Sequence, residues 1–388
     1  MQIYKNIMTK IVSFSFNRYS LLPIAAGIFY VIRSFSFSLI PNNEYKCSLF
    51  FEIVLLEFGM FLSFILELIN ISRQSNQKKG FKEELKKWIE KYKEVKIILS
   101  MLVCGLFDLF GVFLTFLILI KNNVYQHHIS SLMRITEFFF VSFMYYIFLK
   151  KCLSRHHYVA LLFIFAGLFC VFIQGIAYMD YTIIFCIIGN FFYASLEIIY
   201  KWLMEYKFIS SYELVSISGF FGCFIETIIC LILSHKQCVD ILPICDSDTN
   251  TILNYSKEIS NIFNNKYHLI QVGIYVITSL GYNTFHFLAN KHLGPTHRII
   301  GDSVSSIITM TITVIKNNGQ YEIGKYVVLQ GIGHFLILIG NAMYNEIAIV
   351  HLCGLDVNTN KEIKERASKE SVIPLLPTKQ EKKEDFLF

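Results

Sequence analysis

The sequence predicts an all-α integral membrane protein with ten transmembrane helices, arranged as two inverted five-helix repeats with both termini in the cytosol. Three observations lead to this prediction: the composition, the number of apolar segments, and the positions of Lys and Arg. Of the 388 residues, 54% are hydrophobic and 16% are charged, and the mean hydropathy is +0.50. Because soluble domains average about 25% charged residues, this composition favours a lipid environment.

Ten segments are long and apolar enough to cross a bilayer, whose hydrocarbon core requires roughly 17–25 apolar residues per helix. The first is too long for the apolar region of a signal peptide and is followed by the others, so we expect it to be retained. The ten segments are residues 19–40, 48–70, 96–120, 129–149, 157–177, 180–201, 212–234, 268–290, 294–315 and 325–347.

Lys and Arg predict the orientation, because short loops rich in these residues stay on the cytosolic side. A cytosolic N terminus puts most of the Lys and Arg on that side. The same rule explains the net charge of +6, so the charge does not indicate a nucleic-acid partner. The partners that we expect are membrane lipid and a small-molecule solute.

The predicted chain has four parts, and an odd number of spans in each half inverts the second half. In the longest cytosolic loop, charges alternate around Leu85, Trp88 and Ile89, which predicts an amphipathic helix on the anionic leaflet, or else a solvated connector. The four parts are a cytosolic tail (1–18), a first repeat (19–177, with cytosolic loop 71–96), a second repeat (180–347, with lumenal loop 235–267) and a disordered cytosolic tail (348–388).

Two Arg–carboxylate motifs occupy corresponding spans of the two halves. The segment SSLMRITEFFFVSF places Arg134 three residues before Glu137, and GPTHRIIGDSVSSII places Arg298 four residues before Asp302. Each pair shares a helix face, although a charge at the centre of a membrane helix costs on the order of 2.5–3.5 kcal/mol. We expect the pairs to line one aqueous cavity from opposite sides; the alternative is an internal ion pair that locks the bundle.

The segments that follow these motifs also look alike, RHHYVALLFIFAGLF (155–169) beside EIGKYVVLQGIGHFL (322–336). Such inverted repeats are typical of secondary transporters, which bind substrate at the repeat interface.

Further polar residues within the predicted spans extend the candidate site. Tyr282 and Asn283 could bind a polar solute, or could pack their span against its neighbours. Glu57 and Asp108 are cavity candidates, and together with Glu226 they could carry a coupling proton.

The lumenal loop contains two candidate modifications. Cys238 and Cys245 could form a disulfide across it, and Asn254 begins the glycosylation sequon Asn254-Tyr255-Ser256. The chain has no GxSxG, HExxH or phosphate-binding-loop motif. We therefore expect no enzymatic activity, no catalytic residue, no cofactor and no metal site.

The motifs resemble those of a known family. SSLMRITEFFFVSF in span 4, GYN in span 8, GPTHRIIGDS in span 9 and LILIGNAMYN in span 10 resemble the drug/metabolite transporter superfamily. They are most similar to the solute carrier family 35 nucleotide-sugar-transporter-like proteins of subfamily F, with the chloroquine-resistance transporters as distant relatives. The resemblance covers roughly residues 20–347. It implies a ten-helix bundle that works by alternating access.

By position, the resemblance assigns to the central cavity the residues Glu57, Asp108, Arg134, Asn283, Arg298 and Asp302. Close relatives tend to carry a basic residue three positions after the span 9 aspartate, where this chain has Ser305. That departure weakens the case for a doubly charged phosphate substrate.

Three functions follow as hypotheses. The first is a secondary transporter of a small polar solute or organic anion in an internal membrane, such as that of the Golgi, an endosome, lysosome or vacuole, or a plastid-like organelle. The second is a proton-coupled exporter of cationic, amino-acid or peptide-like solutes. The third is a membrane scaffold without transport activity, against which the buried charges argue.

Neutralising Arg134 or Arg298, as Arg134→Gln or Arg298→Gln, should abolish transport and leave folding and trafficking intact, because each arginine contributes a cavity charge. Uptake by purified, reconstituted variants measures the effect. Normal transport by both variants would show that the cavity assignment is wrong.

Overall fold

The computed structural model is mainly helical, and 89% of the residues that it describes lie in helices. This agrees with the helical fold class that the sequence predicts. The structure describes residues 12–14, 19, 21–36, 49–78, 81–91, 94–121, 126–149, 154–178, 182–236, 254–294, 305, 308, 312, 325–344, 346–351, 354–356 and 359.

Twelve helices and two three-residue strands are present in these residues. The helices are α1 (Leu21–Phe35), α2 (Leu49–Phe61), α3 (Ser63–Lys78), α4 (Phe81–Lys91), α5 (Val95–Lys121), α6 (Gln126–Leu149), α7 (Arg155–Tyr178), α8 (Thr182–Tyr206), α9 (Ser211–Ser234), α10 (Tyr255–Asn264), α11 (Lys266–His292) and α12 (Lys325–Tyr344). The strands are β1 (Val12–Phe14) and β2 (Ala348–Val350).

Nine of the ten predicted apolar segments coincide with helices of the described chain, and the ninth, residues 294–315, lies almost entirely outside it. The second segment is two helices, α2 and α3, interrupted by a turn at Leu62. In the predicted cytosolic loop 71–96, α4 confirms the expected helix. Its Trp88 contacts Phe64 of α3, while Ile89 is 53% exposed.

Residues 235–267 were expected to be a polar loop, but α10 lies within this stretch. Asn254 caps that helix by accepting a hydrogen bond from the Lys257 backbone N–H at 3.0 Å. Ile262 is buried against Phe51 and Tyr275. The short helix forms because its amphipathic face packs on α2 and α11, which a composition-based reading of a polar stretch does not reveal.

Most of the main helix contacts are related by an exchange of the two halves of the chain; the contact of α6 with α8 has no counterpart among the described residues. The first half supplies α1, α2, α5 and α7, and their counterparts in the second half are α8, α9, α11 and α12. Contacts of α5 with α8 correspond to those of α11 with α1, and contacts of α2 with α11 correspond to those of α9 with α5. In the pairs α2–α9 and α7–α12, each helix contacts its own counterpart from the other half.

Helices α7 and α12 approach each other backbone to backbone. A Cβ built on Gly167 would lie 2.5 Å from the Gly333 carbonyl oxygen and 2.9 Å from the Ile337 nitrogen. A Cβ on Gly340 would lie 2.7 Å from the Ala160 oxygen and 2.9 Å from the Ile164 nitrogen. The two glycines therefore occupy equivalent places, and the two helices run antiparallel.

This equivalence corrects the register of the repeat. Exchanging Gly167 with Gly340 also exchanges Ile164 with Ile337 at the same sequence offset, so IFAG pairs with ILIG. The sequence comparison of 155–169 with 322–336 was therefore out of register. It matched general apolarity, whereas the glycine contact determines which residues are equivalent.

The other helix pairs have defined relative directions. Helix α9 runs antiparallel to α2, since Tyr212 at its start accepts a hydrogen bond from Ser63 and Gly222 further along contacts Glu57. Tyr19 stacks on His292 while Phe29 stacks on Phe285, so α1 and α11 are also antiparallel.

Helices α5 and α8 run antiparallel, because Gly111 meets Tyr193 while Gly189, earlier in α8, meets Leu114 later in α5. Helices α6 and α8 run parallel: Thr136 pairs with Asn190, and Met144 with Ser195.

Large apolar side chains cover much of the outer surface. Among the described residues, ten of them are more than 60% exposed: Leu21, Val95, Phe148, Leu162, Phe169, Phe208, Phe263, Ile277, Val328 and Phe335. Among the described residues, α9 is the helix that is long and apolar enough to cross a bilayer, and shorter apolar stretches occupy Leu21–Phe35, Thr136–Phe148 and Gly331–Tyr344. One helix of this kind is weak evidence, so the ten-span topology stays a prediction.

The strands β1 and β2 pair antiparallel, with Ser13 opposite Ile349. This pair is a departure from the all-α prediction, and it gives structure to the start of the segment 348–388 that was expected to be disordered. Ile349 is 2% exposed, which explains why the strand stays ordered.

Just beyond β2, a hydrogen bond from the ring of His351 lowers the pKa of Asp356.

Replacing Gly167 by alanine should destabilise the fold by roughly 1–3 kcal/mol, because the new Cβ would overlap the backbone of α12. Equilibrium denaturation in mixed micelles measures this change. Gly331→Ala in α12 is the matched control: nothing lies within 4 Å of its built Cβ, so stability should not fall. Equal losses in the two variants would contradict the close α7–α12 contact.

Candidate functional site

Three acidic side chains meet inside the bundle, where α2, α5 and α9 come together. Glu57 hydrogen-bonds to Asp108 and lies within electrostatic range of Glu226 and Cys223. Glu57 is 2% exposed and Glu226 is 5% exposed. A hydrogen bond between two carboxyl groups requires a proton on one of them, because a carboxylate has no donor. The cluster can therefore hold a proton within the bundle.

Glu57 is held in place by the close approach of α9. A Cβ built on Gly222 would overlap the Glu57 carboxyl group, and a Cβ on Gly219 would lie 2.7 Å from the Glu57 carbonyl oxygen. One carboxyl oxygen of Glu57, Oε2, is buried and has no hydrogen-bond partner among the described residues. Glycine at position 222 leaves room for the Glu57 carboxyl group in its observed position.

A second polar group joins α8 to the C-terminal end of α11. The Lys201 Nζ donates to the backbone oxygens of Asn290 at 2.8 Å and Lys291 at 2.9 Å. The Asn290 amide donates to Glu197 Oε2 at 2.7 Å. Glu205, one turn after Lys201, lies 3.2 Å from its Nζ. Lys201 thus caps the C-terminal end of α11, where the Asn290 oxygen also accepts a hydrogen bond from the Gly294 backbone N–H at 3.0 Å.

A third polar group lies between α1 and α11. The guanidinium carbon of Arg33 is 5.2 Å from the centroid of the Tyr30 ring and 4.7 Å from that of the Tyr282 ring. Tyr282 and Asn283 are both buried. The Asn283 amide donates to the Ser279 carbonyl oxygen at 3.0 Å, so this side chain is engaged within its own helix.

The structure thus brings Glu57, Asp108 and Glu226 together and puts Tyr282 and Asn283 on α11; a role of the three carboxyl groups in proton coupling stays a prediction. Glu137 is buried in α6. The remaining candidates are outside the described residues: Arg298, Asp302, Cys238, Cys245 and the side chain of Arg134. Asn254 is the N-cap of α10, and its glycosylation stays a prediction.

Lys201, Glu197, Asn290 and Arg33 are polar residues of the interior that the predicted site did not include. Glu197 and Lys201 are four residues apart at the end of an apolar run, which is the spacing that puts two side chains on one helix face. Their contacts with α11 could not be inferred, because the spacing does not indicate which helix they face.

Comparisons with known proteins give a fold likeness and no family. No protein-family model and no curated protein sequence matches the chain. A solved crystal structure of a protein matches with a TM-score of 0.51 at 9% identity, covering 85% of this chain and 96% of that chain. At this identity the likeness concerns the fold alone.

Replacing Lys201 by methionine should lower the free energy of unfolding by about 1.5–3 kcal/mol, because it removes charge-assisted hydrogen bonds to the end of α11 and keeps the length of the side chain. Lys207→Met is the control: Lys207 pairs with Glu94 on an exposed surface, where ion pairs contribute about 0–1 kcal/mol. Denaturation in mixed micelles compares the two. A loss in Lys201→Met no greater than in the control would refute the capping role.

Proposed function

We propose that the chain is a secondary transporter, which moves a small polar solute or an organic anion across an internal membrane by alternating access. The observation that carries this proposal is the set of helix contacts that an exchange of the two halves relates. In the pairs α2–α9 and α7–α12 each helix contacts its own counterpart, so both pairs lie where the two halves meet. Transporters built from repeats bind their solute at such an interface.

The directions of the helices support an inverted repeat. Helices α7 and α12 are counterparts in the two halves and run antiparallel. Such a pair is related by a two-fold axis that is perpendicular to both helices. A chain that crosses a bilayer ten times in strict alternation requires α1–α11, α2–α9, α5–α8 and α7–α12 to be antiparallel and α6–α8 to be parallel. The observed directions agree in each case. With the positions of Lys and Arg, this supports a topology with both termini in the cytosol.

The distribution of polar and apolar side chains supports a lipid-facing exterior. Aromatic and aliphatic residues cover the outer surface, whereas Glu57, Glu197 and Lys201 are each less than 5% exposed. In water, exposed apolar patches of this kind mark interaction or membrane surfaces. Ionisable groups within spans almost always face the bundle interior or a wet cavity.

The sequence motifs add a family to this proposal. On the motifs in spans 4, 8, 9 and 10, we propose a member of the drug/metabolite transporter superfamily, similar to the solute carrier family 35 proteins. The organelles proposed are the Golgi, the endosome, lysosome or vacuole, and plastid-like compartments.

Uptake into proteoliposomes that contain the purified chain tests the proposal. Candidate solutes are nucleotide sugars, sugar phosphates, amino acids and short peptides, each with and without a pH gradient. Counterflow of an anionic solute that is indifferent to pH is the expected result, because an antiporter exchanges one solute for another. Absence of protein-dependent flux for every solute would contradict transport and favour the scaffold.

The acidic cluster favours a second candidate, the proton-coupled exporter. The hydrogen bond between Glu57 and Asp108 implies a retained proton, and Glu226 lies within electrostatic range of both. Protons released and rebound here could drive export of a cationic, amino-acid or peptide-like solute. In that case Glu57, Asp108 and Glu226 would be the coupling residues.

If this second candidate is correct, Glu57→Gln should remove the dependence of flux on the pH gradient, because an amide cannot exchange the proton. Gly222→Ala should have the same effect, since its Cβ displaces the Glu57 carboxyl group. Gly273→Ala is the control, with nothing within 4 Å of its built Cβ. Proton-driven uptake in proteoliposomes gives the comparison. Unchanged coupling in both Glu57→Gln and Gly222→Ala would exclude the cluster.

A further inference from the structure

Arg33 is a half-buried cation on α1, and part of its guanidinium group is buried beside α11. Its Nη1 atom is buried and has no hydrogen-bond partner among the described residues. Glu52 lies within electrostatic range without forming a hydrogen bond to it. A guanidinium has five N–H donors and no acceptor, so a buried one without acceptors is costly.

Arg33 lies in the last turn of α1, and its side chain leans back toward the middle of the proposed membrane. It lies twelve residues after Leu21, the first residue of α1, which corresponds to about 18 Å at 1.5 Å per residue. The hydrocarbon core is about 30 Å thick. Side chains on a helix lean toward its N-terminus, and the guanidinium does so here, since it contacts Tyr30 one turn earlier. Arg33 therefore leans away from the nearer membrane surface.

The aromatic contacts orient the guanidinium. Tyr30 and Tyr282 lie on two helices, with ring centroids 5.6 Å apart, and both contact Arg33. Rings that stack against a guanidinium occupy its faces, whereas its N–H groups point outward in its plane. The two rings hold the cation at cation–π distance, and its buried Nη1 group has no acceptor among the described residues.

One turn before Tyr282, Ser279 adds a second polar group. Its side chain is 0% exposed, and its Oγ has no hydrogen-bond partner among the described residues. Ser279 contacts α2, since a Cβ built on Gly59 would lie 2.9 Å from its Cβ. The hydroxyl is a donor on the same part of α11 as the ring that contacts Arg33.

We propose that Arg33, held by the rings of Tyr30 and Tyr282, binds the carboxylate or phosphate group of an organic anion. The inference rests on the proposed transport function and deepens it, because it makes an organic anion the solute class. A carboxylate or phosphate oxygen pair accepts two parallel N–H bonds from one guanidinium, and such charge-assisted pairs are among the strong hydrogen bonds in proteins.

The test uses the full chain in lipid nanodiscs and follows its thermal unfolding by intrinsic fluorescence. The probes are uridine monophosphate with uridine as its neutral analogue, and glutarate with glutaramide. We expect an anion to raise the unfolding temperature of the wild type while its neutral analogue does not. A response to uridine monophosphate identifies a phosphate ligand, and a response to glutarate identifies a carboxylate ligand.

Arg33→Gln should weaken the apparent affinity for that anion about tenfold or more, because it removes charge-assisted hydrogen bonds. Arg33→Lys keeps the positive charge but cannot donate two parallel hydrogen bonds to one oxyanion, so it should weaken binding by a smaller factor. Arg155→Gln, at an exposed position at the start of α7, should bind as the wild type does. If Arg33→Gln does not fold, the comparison of Arg33→Lys with Arg155→Gln decides.

Wild-type affinity in the Arg33 variants, or equal stabilisation by the anions and their neutral analogues, would overturn the proposal. The proposed function is judged separately, by uptake. Protein-dependent uptake that Arg33→Gln leaves unchanged would remove the anion site and keep the transporter. Absence of all uptake would remove the transporter, whatever the nanodisc measurement gives.

Discussion

The close antiparallel contact between α7 and α12 is the constraint on which the rest of the arrangement depends. Gly167 and Gly340 let each backbone come within van der Waals contact of the other, and they do so at equivalent positions of the two helices. Because each helix makes the same contacts with the other at equivalent positions, the two helices are counterparts of each other. The same exchange then relates α5–α8 to α11–α1 and maps α2–α9 onto itself.

Glycines recur where the two halves meet, and they have different roles in the pairs α7–α12 and α2–α9. In α7–α12 the glycines bring the two backbones together. In α2–α9, Gly219 and Gly222 bring α9 against the backbone and carboxyl group of Glu57. One interface is thus a packing contact, and the other surrounds an ionisable group.

Three of the polar groups in the interior lie at different helix junctions. The Lys201 ammonium group is satisfied by two backbone oxygens and the Glu205 carboxylate, which suits a structural role. The Glu57 cluster keeps one buried carboxyl oxygen, Glu57 Oε2, without a hydrogen-bond partner among the described residues. Arg33 is held by aromatic rings but its Nη1 donates no hydrogen bond to the described protein. This difference in satisfaction separates groups that hold the bundle from groups suited to bind an ion or solute.

The sequence by itself determined the helical class, nine of the helix positions in the described chain, and the presence of charges such as Glu57 and Glu226 inside apolar runs. These features depend on local composition and spacing, which a single chain displays directly. Only the tertiary structure decided that Glu57 meets Asp108 and that Arg33 meets Tyr282. It also decided that Gly167 is equivalent to Gly340 and that α10 forms in a polar stretch. Each of these depends on which helices become neighbours, because the period of a helix gives the face of a side chain and not the partner that the face contacts.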